Sequence, residues 1–168
     1  MGQLLPFTSA SPAWPDRANR LDTAECTFLI AVRWWVEGYR GDQDPVPRLC
    51  RGLKLAGVGD AAFPLNDFMA VVARANRHQI AIHQPRCHGL SQDEQQLLYV
   101  ASLAQTGDRA RATRALSHTL LEEAGAAFAL GPLMMLGRLF AGADLIFSQR
   151  RAPIEESSRF EDPNATIH

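Results

Sequence analysis

The stretch Asp22 to Gly41, DTAECTFLIAVRWWVEGYRG, decides the fold. Asp22 offers a helix N-cap, and Glu25 stands three positions later as the reciprocal partner of a capping box. Phe28, Leu29, Val32, Trp35, Val36 and Tyr39 then recur at the three-and-four spacing of one buried helical face. Gly41 supplies the stop. An 18-residue helix with one apolar face needs other elements to cover it, and the rest of the chain offers helices almost throughout.

Downstream, Asp44-Pro45 reads as an N-cap followed by proline at the first helical position, with Gly57 as the stop and Leu49, Leu53 and Ala56 as the stripe. A third helix is expected from about Pro64 to Asn76, with Leu65, Phe68, Met69 and Val72 inward. Residues 79–83 alternate polar and apolar but are too few for a strand, so an extended linker is expected. Ser91 and Glu94 form a second capping box, and Leu97, Leu98, Ala101 and Ala104 line the helix that follows. Gly107-Asp108 separates it from a helix carrying Ala112, Ala115, Leu116, Thr119 and Leu120, which implies an antiparallel hairpin. From Ala124 the chain is strongly apolar, is expected to break at Gly131-Pro132, and resumes through Leu133, Leu136, Leu139 and Phe140 to about Gly142.

The fold class expected is therefore all-α, an irregular orthogonal or up-down bundle of about five to six helices. Residues 1–21, with Pro6, Pro12 and Pro15, read as an irregular arm that Trp14 pins to the body. Residues 22–147 read as a single helical domain, and 148–168 as a mobile tail.

Composition narrows the function classes. The 168 residues are 46% hydrophobic and 21% charged, with a formal net charge of −1. That balance is ordinary for a globular domain and gives no field to steer nucleic acid. Lys54 is the only lysine, and the other basic residues are arginines. Cys26, Cys50 and Cys87 are odd in number and contain no CxxC pair, which fits a reducing compartment. The first 19 residues lack a basic n-region and a long apolar core, so a cytoplasmic location is expected. The apolar stretch 124–137 falls short of the roughly 20 residues that a membrane span needs. It reads as a core helix or an oligomer contact.

One segment concentrates chemistry. His78 to Gln95, HQIAIHQPRCHGLSQDEQ, holds three of the five histidines and one of the three cysteines. His78, His83, Cys87 and His88 are side chains that zinc accepts. A structural zinc site takes four ligands, and the adjacent Cys87 and His88 diverge, so His83 with Cys87 or His88 makes half a site. The other half would come from His78, from Asp93 or Glu94, or from a second subunit. Cys87 beside His88, with Glu94 placed to orient a histidine, raises thiol- or histidine-dependent catalysis as a further alternative. No GxSxG elbow, phosphate loop or HExxH helix is present, and the reading leans away from an enzyme.

The pattern around His83, Cys87, Gly89, Ser91, Asp93 and Glu94, with an apolar helix and Gly107-Asp108 after it, resembles a group of small alphaproteobacterial helical proteins. In that group a histidine- and cysteine-containing turn leads into a helix starting Asp-Glu. The resemblance spans about residues 72–121 and rests on short motifs. Some members carry a second cysteine near the first, which this chain lacks beside Cys87. The resemblance implies a bacterial helical protein and no particular activity.

Two further features point to partners. Arg109, Arg111 and Arg114 cluster at a helix start, where cations oppose the helix dipole, and fit either an anionic partner or a solvated face. Trp34, in line with Ile30, lies off the main buried face of the first helix and is a candidate interface anchor. The leading expectation is a non-catalytic cytoplasmic interaction or regulatory module that self-associates as a homodimer. It has no cofactor, no nucleic-acid partner and no membrane span, and zinc binding is the alternative.

Overall fold

The computed structural model describes residues 11–153. Within them lie six α-helices: α1 Thr23–Arg40, α2 Val46–Leu55, α3 Ala62–Arg74, α4 Gln92–Gln105, α5 Arg109–Ala115 and α6 Glu123–Gly142. Short 3-10 turns precede α1 and α3, and a π turn at Leu116–Leu120 extends α5. No strand occurs among the described residues, and the sole bridges are the isolated pairs Arg17 with Gly89 and Asn76 with Leu121. The protein is an all-α bundle.

Each boundary has a local cause. The two expected capping boxes both form: Asp22 accepts from the Glu25 amide while Glu25 reaches back to the Asp22 amide, and Ser91 and Glu94 do the same. Asp108 caps α5 by accepting from the Arg111 amide. Gly57 and Gly107 end the turns after α2 and α4 at φ of 78° and 82°, conformations that a Cβ disfavours.

One expectation fails in α6, which runs unbroken through Gly131-Pro132. Proline removes only its own amide, the one that would reach the Phe128 carbonyl, and packing on both sides carries the helix across. The inner face of α6 lies between α3 and α4, its two most extensive neighbours. Gly137 makes the second contact possible. A Cβ there would lie 2.7 Å from the backbone nitrogen of Gln105, so α4 and α6 touch main chain to main chain.

α1 closes the bundle against α2, α3 and α4. Phe28, Leu29, Val32 and Trp35 are buried as its pattern requires, while Val36 is half-buried. Tyr39, expected inward, is 58% exposed and stacks on Trp35 with ring centroids 4.9 Å apart. Phe28 meets Phe140 and Phe147 edge-on at 6.3 and 5.9 Å, which ties α1 to the end of α6 and the segment after it.

The two ends of the described segment are held to the body. Trp14 donates from its indole nitrogen to the Arg151 carbonyl at 2.9 Å, and the Arg150 guanidinium lies over the Trp14 ring. Arg150 also pairs with the buried Glu25 and donates to the Ala13 carbonyl. Mobility was expected from Ser148 onward, yet the Ser148 amide donates to Asp22 at 2.9 Å, so residues 148–153 form part of the packed unit. The remainder of that segment, 154–168, and residues 1–10 of the arm lie outside the described residues.

Candidate functional site

The segment His78–Gln95 is organised by a buried ion pair that joins α1 to the start of α4. Arg33 and Glu94 expose 3% and 0% of their side chains. The guanidinium contacts both carboxylate oxygens, Nε to Oε1 at 2.8 Å and Nη2 to Oε2 at 3.0 Å. Two such bonds in one plane are the strong geometry of this pair. Arg33 has donors to spare and spends them on the loop: Nη1 donates to the Cys87 carbonyl at 2.6 Å and Nη2 to the Gly89 carbonyl at 2.7 Å.

Glu94 is equally committed. Its carboxylate accepts from the Ser91 amide at 2.9 Å, from the His83 amide at 3.1 Å and from His83 Nδ1 at 3.0 Å. Burial alone pushes the Glu94 carboxyl up. The hydrogen bonds from Arg33, the Ser91 amide and His83, together with the Arg33 charge, outweigh burial and hold the carboxyl below its ordinary value. An ionised Glu94 only accepts, so Nδ1 of His83 is the ring nitrogen that donates to it.

The four candidate ligands separate into two groups. His83 and Cys87 converge on Gly89: a Cβ at that glycine would lie 3.6 Å from Cys87 Sγ, 3.6 Å from His83 Cε1 and 3.9 Å from His83 Nε2. A side chain at 89 would touch both the sulfur and the imidazole. His78 is held elsewhere, by Asp93 at 2.9 Å, and Asp93 also accepts from the Ala81 amide at 2.7 Å. His88 is exposed and helps line a separate cleft of about 430 Å³, with Cys26, Ile30, Arg33, Arg86 and Cys87 among its walls. Among the described residues, no three or more His, Cys, Asp or Glu side chains gather in one place.

The three cysteines are free thiols. Cys26 donates to the Ala18 and Leu21 carbonyls at 3.5 and 3.6 Å. Burial, followed by the charges of Asp22 and Glu25, pushes its thiol up, so it ionises less readily than an ordinary thiol.

The interaction candidates are also placed. Trp34 is half-buried against α2: a Cβ at Gly52 would fall 2.1 Å from its ring, and Arg48 lies over that ring at 5.2 Å. Ile30 faces the Cys26–Cys87 cleft instead, so the two residues do not share one surface. Arg111 donates to the Tyr99 hydroxyl at 3.2 Å and lies near Asp108. With Arg114 and His118 it borders an open cleft of about 310 Å³, and Arg109 is exposed.

Sequence reasoning passed over Arg33, the residue on which the segment depends. A signal was present. Arg33 falls between Leu29 and Val36 on the inward face of α1, where a charge needs a buried partner. No protein-family model, curated protein or solved structure matches the chain.

Proposed function

We propose that this protein is a non-catalytic helical module that pairs with a second copy of itself through the outer face of α6. The observation that carries the reading is an uncharged stripe on that face. Ala124, Ala127, Phe128, Gly131 and Met135 are all exposed, Phe128 at 74% and Met135 at 47%. They recur every three or four residues, the spacing of a helix–helix seam. Nothing lies within 4 Å of where a Gly131 Cβ would stand, so a second helix can approach there closely.

Charge favours a second copy as the occupant. Glu122 and Glu123 flank the stripe at its N-terminal end and Arg138 at its C-terminal end, all exposed. Two α6 helices crossed antiparallel about Gly131 set the acidic end of each beside the cationic end of the other. A two-fold contact of this kind is self-complementary. The cationic end opens into a cleft of about 670 Å³ bordered by Lys54, Phe63 and Arg138, which extends the same surface onto α2 and α3.

The free thiols and the net charge of −1 support a reducing, cytoplasmic setting and a protein partner in preference to nucleic acid. α6 spans 20 residues and contains an 18-residue window with a mean hydropathy of 1.5, long and apolar enough by length and composition to cross a bilayer. Its inner face is already filled by α3 and α4, which supports the paired-helix reading.

Sedimentation velocity across a range of concentrations tests this. The wild-type chain is expected to form a dimer, and Phe128→Glu or Met135→Arg to give a folded monomer with an unchanged helical circular dichroism signal. A Gly131→Cys variant in a background of Cys26→Ser, Cys50→Ser and Cys87→Ser is expected to cross-link to itself across the two-fold axis under oxidation. A wild-type chain that stays monomeric at all concentrations overturns the reading, as does flotation with lipid vesicles that depends on Phe128.

A further inference from the structure

We propose that His83 Nε2 and Cys87 Sγ form a two-donor site for a soft monovalent cation of the Cu(I) type. The argument begins with the ring. The Glu94 carboxylate lies 3.0 Å from His83 Nδ1, which orients the imidazole and leaves Nε2 as the ring nitrogen turned away from that contact. A carboxylate behind a histidine is the usual support for a metal-bound imidazole, because it fixes the tautomer and strengthens the donor. The ring is also fixed through its backbone, since the His83 amide donates to the same carboxylate at 3.1 Å.

The sulfur is positioned independently. Cys87 sits at the end of a turn closed by its own amide, which donates to the Gln84 carbonyl at 2.9 Å. Arg33 grips the carbonyls of residues 87 and 89 on either side of His88. Both donors lie beside Gly89: a Cβ there would stand 3.6 Å from the sulfur and 3.9 Å from the nitrogen. Each is half-buried, so an ion reaches them from solvent.

Donor number and softness select the ion. Zinc in a structural site takes four ligands, and no group of three or more gathers among the described residues. A cuprous ion is content with two, and thiolate is the ligand class it prefers. On binding, the Cys87 thiol loses its proton to solvent as the copper–sulfur bond forms, His83 gives its Nε2 lone pair, and the copper stays in the +1 state. The site stands apart from the α6 face and does not depend on self-association.

The experiment is an anaerobic competition for Cu(I) against bicinchoninate, using the full chain in a background of Cys26→Ser and Cys50→Ser. One equivalent is expected, with a copper absorption-edge spectrum showing one sulfur and one nitrogen neighbour. His83→Ala and Cys87→Ser are each expected to weaken binding by about tenfold or more. Gly89→Ala keeps both donors, has ordinary van der Waals room for its Cβ, and is expected to weaken binding by occupying the shared space. His78→Ala is expected to leave it unchanged. Circular dichroism confirms that each variant is folded. Equal affinity in the Cys87→Ser or His83→Ala variant identifies an adventitious ion only and overturns the proposal. A two-sulfur spectrum, with copper bridging two chains, overturns it as well.

Discussion

Replacing Arg33 by methionine tests the centre of the structure most directly. The substitution keeps most of the buried volume but strands the Glu94 carboxylate, whose side chain is 0% exposed, and removes the donors to the Cys87 and Gly89 carbonyls. Removing one partner of a buried pair costs about 3–5 kcal/mol at neutral pH, because the remaining charge loses its compensation. For a chain of this size that lowers the melting temperature by on the order of 10 °C. The effect also depends on pH, with a definite sign. In the wild-type chain the Glu94 carboxyl lies below its unfolded value of about 4.3. Its stabilising contribution is therefore present above that pH and fades as pH falls through the folded value. Without Arg33, burial is the strongest influence left and raises the carboxyl. The deficit of the variant is then full at pH 7 and shrinks as acid protonates Glu94. Urea unfolding followed by tryptophan fluorescence at pH 7 and pH 5 measures both quantities. A loss under about 1 kcal/mol at pH 7, or a loss that is the same at both pH values, refutes the reasoning. The double variant Arg33→Met with Glu94→Met removes the stranded charge and is expected to recover part of the loss. The remainder reports what Arg33 contributes by anchoring the loop.

Four further substitutions or reactions probe separate parts of the fold. Gly137→Ala drives a Cβ to 2.7 Å from the Gln105 backbone nitrogen and is expected to cost about 1–3 kcal/mol by thermal unfolding. Gly52→Ala meets only the Trp34 ring, which can turn aside, so it is expected to shift tryptophan emission more than stability. Cys26, whose thiol burial pushes up, is expected to react with iodoacetamide more slowly than Cys50 and Cys87 at pH 8, as read by peptide mass mapping. Equal rates contradict that. Arg150→Ala leaves Glu25, 2% exposed, without its partner and is expected to raise hydrogen exchange in residues 13–20 and 148–153 together. Exchange rising in one segment alone shows that the two ends are not coupled through Arg150.

Local chemistry was legible in the sequence wherever a signal spans a few residues. Asp22 with Glu25 and Ser91 with Glu94 start their helices as read, because a capping box needs only an oxygen and an amide three positions apart. The buried faces of α3 and α4 follow from their apolar spacing in the same way. What escaped were features set by distant partners. Glu94 was read as a cap, yet most of its energetic role comes from Arg33, 61 positions away. Pro132 was read as a break, but α3 and α4 hold α6 straight through it. Trp34 was set aside as an anchor for another chain because nothing local marked Gly52 as the gap that receives its ring. At the candidate site, the sequence named the ligand types. It had no means of showing that His83 and Cys87 both lie beside Gly89.

The contact of Trp14 and Ala13 with Arg150 and Arg151 has a topological consequence. Residues 137 positions apart in the chain lie within hydrogen-bond reach, so the path from Trp14 to Arg151 nearly closes on itself. A short linker from residue 153 to residue 11 would turn the path into a closed ring without crossing the bundle. New ends could then be cut at Gly107-Asp108, in the tight turn between α4 and α5, while every helix keeps its neighbours. The order in which the helices are synthesised is thus separable from the arrangement they adopt. A permuted chain beginning at α5 offers a way to present α6 before α1, and α4 last, without altering a single packed residue.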